Sequence, residues 1–121
     1  MPKLIASATP ISSVGNITKF ADEYVGLVNT GDSKISITLV HSPAGWVGHG
    51  QYSDYREYRL VYKGRLQVEH SKGALDVLAG QALDVNPGEW VRYSTPDEGG
   101  ADYLTVCIPA FSRASVHRDE E

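Results

Sequence analysis

The sequence is poor in the features that mark several protein classes. It has a single cysteine, Cys107, among 121 residues, so no internal disulfide can form and a disulfide-stapled scaffold is excluded. No apolar run approaches the ~20 residues that a membrane-spanning helix needs. Basic residues are outnumbered, eleven against fifteen acidic ones, which leaves a net charge of −4. A general affinity for polyanions such as nucleic acid is therefore not expected. The opening residues Met1-Pro2-Lys3-Leu4-Ile5-Ala6 carry one lysine and no long apolar core, so no signal peptide is expected. No glycine-rich loop precedes a helix, which leaves a nucleotide phosphate site without support. The four histidines are scattered, and no pair has the spacing of a metal clamp. A cytoplasmic protein is the simplest expectation, and there the sequon Asn16-Ile17-Thr18 has no consequence.

What is present has a period of two. Ile35-Ser36-Ile37-Thr38-Leu39-Val40 alternates and is β-branched, as a half-buried strand should be. Tyr58 to Tyr62, Leu66 to His70, Ala74 to Leu78, Ala82 to Asn86, Trp90 to Ser94 and Tyr103 to Ile108 read the same way. Turn signals separate them, among them Lys63-Gly64, Ser71-Lys72-Gly73, Ala79-Gly80, Pro87-Gly88 and Asp97-Glu98-Gly99-Gly100. Short strands at this spacing predict an all-β sandwich or barrel. Thr18 to Glu23 could begin a helix, and Glu23 to Val28 could equally be a strand. The echo of Ala74-Leu75-Asp76-Val77 in Ala82-Leu83-Asp84-Val85 suits two strands under similar constraints rather than an ancestral repeat. One domain is expected, with an extension over residues 1–34 packing on a barrel core over 35–110. Residues 111–121 form a tail, frayed from 114 onward and ending Arg118-Asp119-Glu120-Glu121.

Two stretches fall in the register of known paired motifs. Gly45, Glu57 and Gly64 match a first motif that runs glycine, two histidines, glutamate, glycine. Gly80 and Gly88 match a second that runs glycine, proline, glycine, histidine, with Pro87 one place late and Asn86 in the proline slot. Over residues 35–110 the chain thus resembles the cupin superfamily. The resemblance implies a jelly-roll barrel, a double sheet closed so that most strand edges are hidden. Its departures are as informative. The histidine slots hold Gln51, Ser53 and Val91, so only Glu57 survives of the usual metal ligands. Amide and hydroxyl oxygens are weak donors and valine is none, so neither a metal nor another cofactor is expected.

Strand alternation places Gln51, Ser53, Tyr55, Glu57 and Arg59 on one face, with His49 of the same parity near its rim. In the resemblance the motif glutamate faces the interior, which would turn this row into a cavity wall. Glu57, Tyr55 and His49 are the candidates for acid, base or anchor. Gln51, Ser53, Arg59, Trp46 and Trp90 are the candidates for ligand contact, since aromatics flanking the motifs can stack a planar molecule or close the core. An internal Glu57–Arg59 pair is the structural alternative. The expected role is that of a homodimeric protein binding a small organic molecule. A metal-free isomerase, lyase or cyclase and a metal enzyme with irregular ligands are the rivals.

Overall fold

In the computed structural model, which describes residues 1–119, eleven strands follow one another with a single 3-10 turn near the end. They are β1 (Thr9–Ile11), β2 (Phe20–Val25), β3 (Ser36–Ser42), β4 (Trp46–Val47), β5 (Gln51–Ser53) and β6 (Arg56–His70). After these come β7 (Gly73–Leu78), β8 (Ala82–Val85), β9 (Val91–Thr95), β10 (Ala101–Ile108) and β11 (Val116–Arg118). All pairings are antiparallel, in the order β1-β2-β3-β10-β6-β9-β5-β11. The sheet curls into a half-barrel, the all-β architecture that the strand spacing implied and the jelly-roll form that the resemblance implied. Among the described residues no helix is long and apolar enough to cross a membrane.

The long strand β6 joins the two halves of the barrel. Its first part pairs with β10 and β8, and its second part, from Arg65, pairs with β7 and β9. The Lys63-Gly64 pair, expected to be a reversal, instead lies inside this continuous strand. Gly64 has φ of 80°, beside a register shift in β10 between Asp102 and Tyr103. A Cβ on Gly64 would stand 2.2 Å from the Gly100 carbonyl oxygen. The glycine therefore serves a close crossing of two strands at a bulge, where the chain bends from one half to the other.

The period of two holds through the core. On β3 the residues Ser36, Thr38, Val40 and Ser42 are buried, and on β10 Ala101, Tyr103, Thr105 and Cys107 are. Leu66, Val68, Val77, Val91 and Tyr93 continue the apolar interior across the other half. The segment read as a possible helix start at Thr18 is strand β2 from Phe20. Ala21 and Glu23 point inward there and Phe20, Asp22 and Tyr24 outward. The inward glutamate hides the alternation from a hydrophobicity count. Glu23 is fully buried, and its Oε2 accepts from the backbone N–H groups of Val28 at 2.9 Å and Asn29 at 3.0 Å. It thereby ties down the turn that follows β2.

The C-terminal segment is docked rather than frayed as far as it is described. β11 pairs with β5, His117 stacks on Tyr52 with centroids 4.7 Å apart, and Asp119 accepts from the Trp90 indole at 2.8 Å. Of the expected tail, Glu120 and Glu121 lie outside the described residues. The first 34 residues add β1 and β2 to the edge of β3.

Gly64 and Gly80 share the positive φ that side chains disfavour, but nothing lies within 4 Å of a Cβ placed at Gly80. Urea unfolding should therefore separate them. Gly80→Ala should lose about 1 kcal/mol from backbone strain alone, and Gly64→Ala clearly more because the Gly100 backbone must also move. Equal losses would contradict the close crossing.

Candidate functional site

Inward-facing side chains from both halves of the barrel enclose a cavity of about 80 Å³. Strand parity builds one wall. The register runs Thr38–Thr105–Arg59–Leu83 across β3, β10, β6 and β8, and beside it Ser36–Cys107–Glu57–Val85. Five polar or charged residues, Thr38, Thr105, Arg59, Ser36 and Glu57, thus sit where a sealed core would place aliphatics. The segment before β2 covers the mouth with Ser12, Ser13, Val14 and Lys19, and Trp46 closes the side. The Trp46 indole donates to the Val14 carbonyl at 3.2 Å, which fastens that cover.

The centre is a charge pair. Arg59 Nε donates to Glu57 Oε1 at 2.6 Å, and the Tyr93 hydroxyl donates to the same oxygen at 2.6 Å. Arg59 Nη1 reaches the Tyr103 hydroxyl at 3.4 Å, and Tyr103 bonds Ser42 Oγ at 2.8 Å. The guanidinium lies over the Tyr93 ring, 3.7 Å from its centroid, and 5.4 Å from that of Tyr103. Glu57 is only 2% exposed. Burial works against the charge on Arg59, but the Glu57 carboxylate with Tyr93 and Tyr103 holds it well above the ordinary guanidinium range.

The pair tunes its neighbours. Burial, and after it the Glu57 carboxylate, raises the phenols of Tyr55 and Tyr93, so both remain proton donors. The same two causes push the Cys107 thiol up to about 12, which suits inert packing. Lys19 moves the other way, to about 7. Loss of hydration dominates, the Arg59 charge adds to it, Glu57 opposes, and Arg118 adds a little more. Its Nζ lies over the Trp46 ring at 4.3 Å.

Most of the expected site residues converge. Trp46, His49, Gln51, Tyr55, Glu57 and Arg59 all line the cavity. Ser53 and Trp90 are not among its lining residues. Ser53 has the right parity and is buried, but it sits under β11, opposite Val116. Trp90 packs near Gly50 and bonds Asp119, so the docked C-terminal segment draws it out of reach. Lys19, Tyr103, Thr105 and Thr38 were missed as site residues. The alternation of Tyr103, Thr105 and Cys107 along β10 was the available signal for two of them. Lys19 had none, because its place depends on the cover folding over the mouth.

No family model matches the chain. Solved structures do. The nucleoside dehydratase Pac13 of Streptomyces superposes with a TM-score of 0.75 at 13% identity, over 98% of this chain and 90% of that one. A putative ethanolamine utilization protein Q of Salmonella typhimurium superposes with a TM-score of 0.67 at 17% identity, over 88% of this chain and 100% of that one. Both are cupin-fold proteins. The chain has the cupin fold. A sequence relative, the endoribonuclease YbeY of Myxococcus xanthus, is 29% identical over 101 residues. This chain spans about a third of that protein's length, 34%, while the match takes in 84% of this chain.

The cupin register can now be checked for a metal. Gln51 and Val91, from the two motifs, are direct register partners on β5 and β9, so the fold does bring the histidine slots together. Their donors do not fit a divalent ion. One slot is an amide and one is aliphatic, and the remaining glutamate has a guanidinium 2.6 Å from its oxygen, which would repel a cation. Among the described residues no three His, Cys, Asp or Glu side chains converge.

Proposed function

We propose that this cupin binds a small polar organic molecule in its barrel cavity, with the Glu57–Arg59 pair as the polar anchor and no imidazole-held metal. One observation carries the proposal. Thr105 lies between Thr38 and Arg59 in the cavity wall, is 8% exposed, and its buried hydroxyl has no hydrogen-bond partner among the described residues. Buried hydroxyls are nearly always satisfied, so an orphan on a residue of the polar cavity wall is a group that a ligand can satisfy. Tyr55, Gln51 and His49 complete the polar lining, and Trp46 offers a flat apolar side. A cytoplasmic setting, in which Cys107 stays a thiol, belongs to the same proposal. The endoribonuclease name of the Myxococcus relative is not carried over, given the third of that protein that the chain spans and the net negative charge.

A second reading has its own support. The 2.6 Å bond from Tyr93 to Glu57 places a phenol and a carboxyl in proton-transfer contact at the cavity wall. A metal-free lyase or isomerase would use such a pair, and Pac13, named a nucleoside dehydratase, superposes over nearly the whole chain.

The outer face of the same wall suits pairing with a second copy. Leu39, Leu104 and Leu60 are direct neighbours across β3, β10 and β6, and Phe20, Tyr62 and Ile108 are exposed around them. A contiguous apolar stripe of this kind is characteristic of an interface.

Melting curves with uridine and ethanolamine, on the wild type and Thr105→Val, test the binding proposal. A ligand that raises the wild-type midpoint should lose most of its shift in the variant. The unliganded variant should be as stable as the wild type or slightly more so, by up to about 1 kcal/mol, because the unpaired hydroxyl is gone. Undiminished ligand shifts in Thr105→Val would contradict the assigned wall. Light scattering at micromolar concentration should return twice the 13.2 kDa chain mass, and a Leu104→Lys variant the single mass. A monomeric wild type would remove the pairing.

A further inference from the structure

Of the five lysines, four are exposed: Lys3, Lys34, Lys63 and Lys72. Lys19 differs in every respect that governs amine chemistry. It is half-buried in the cover of the barrel and its side chain lines the cavity. The Trp46 ring lies beneath its Nζ. Its backbone is fixed by the Ser13 hydroxyl, which donates to the Lys19 carbonyl at 2.9 Å. The charged groups acting on it from the packed elements are Arg59 and Glu57 on β6 and Arg118 on β11, and His49, Tyr55 and Tyr93 share the cavity. No carboxylate is paired with it among the described ion pairs.

We propose that Lys19 is a nucleophilic amine that condenses with a small aldehyde or ketone entering the cavity, forming an imine at Nζ. The inference rests on the cavity being the ligand site and adds a covalent step to it. The amine lone pair attacks the carbonyl carbon, and the carbonyl oxygen takes up a proton as its π bond opens. The C–O bond of the resulting carbinolamine then breaks, and oxygen leaves as water with both amine hydrogens accounted for. No oxidant or reductant is consumed. Tyr55 and Tyr93, which line the same cavity, carry phenols that can hand a proton to the departing oxygen.

The environment supplies what the step needs. An amine reacts only when neutral, and an ordinary lysine is neutral in about one molecule per thousand at pH 7.5. Dehydration together with the Arg59 charge, against the opposing Glu57 carboxylate, brings Lys19 down to about 7, so the reactive form is far more populated than in an exposed lysine. Loss of hydration and a neighbouring cation are the two known ways to activate a lysine.

Reductive trapping tests the inference on the native protein. The protein is incubated with sodium cyanoborohydride and either acetaldehyde or pyruvate, and each lysine is read by peptide mass mapping, with adducts at the chain's α-amine scored separately. The expected result is modification of Lys19 at least tenfold faster than of any other lysine with one or both probes. The rate should rise with pH to a plateau above a midpoint near 7. Lys19→Arg, which keeps a long basic side chain against Trp46 but has no amine to condense, should lose the fast adduct and keep the slow ones. Adducts spread evenly over the five lysines with both probes would overturn the inference. If a noncovalent ligand still shifts the melting midpoint in that case, the imine fails and the binding proposal stands. If neither is seen, both fail.

Discussion

A carboxylate and a guanidinium two residues apart on one strand, both turned into the barrel, set the terms for the rest of this protein. Removing two charges from water costs several kcal/mol per ion unless geometry and hydrogen bonds offset it. Here the offset comes from three strands. Glu57 and Arg59 bond each other along β6, Tyr93 reaches in from β9, and Tyr103 from β10. Because β9 belongs to one half of the barrel and β10 to the other, the pair also fastens the two halves across their shared strand. The Tyr93 and Tyr103 rings near the guanidinium help to screen it from solvent while satisfying part of its charge.

The same pair explains the chemistry of its surroundings. It occupies the place where the cupin motif keeps its glutamate, and it gives that glutamate a guanidinium as its partner. Around it the phenols stay protonated and the thiol unreactive, while the amine at the mouth loses its proton easily. Each shift combines burial with the field of Glu57 or Arg59. The cavity therefore sets neutral phenols and a hydroxyl around a fixed charge pair, with Arg118 as a further cation in its lining.

Much of this was legible in the residues. A period of two is insensitive to tertiary detail, so the strands and the inward row from Gln51 to Arg59 could be read directly, and the internal Glu57–Arg59 pair could be anticipated. Other features required knowledge of which strands meet. Lys63-Gly64 has turn chemistry, and only the crossing with Gly100 shows why a glycine stands inside a strand. Glu23 concealed β2 because its carboxyl serves backbone groups five and six residues later. The tail looked too polar to pack, yet His117 bonds Asp54 and Asp119 bonds Trp90, polar contacts that no hydrophobic pattern announces. Tyr93 and Tyr103 could be seen as aromatics, but their hydroxyls acquire meaning only when β9 and β10 close on β6.

The most direct measurement of the central claim is a double-mutant cycle on the charge pair, read by urea unfolding of Glu57→Leu, Arg59→Met and the combination. Each single change leaves an uncompensated charge in the core and should cost about 3–5 kcal/mol. The double variant, with no charge left to bury, should cost less than either single one. Losses that simply add would mean that the two side chains do not depend on each other, and would contradict the account.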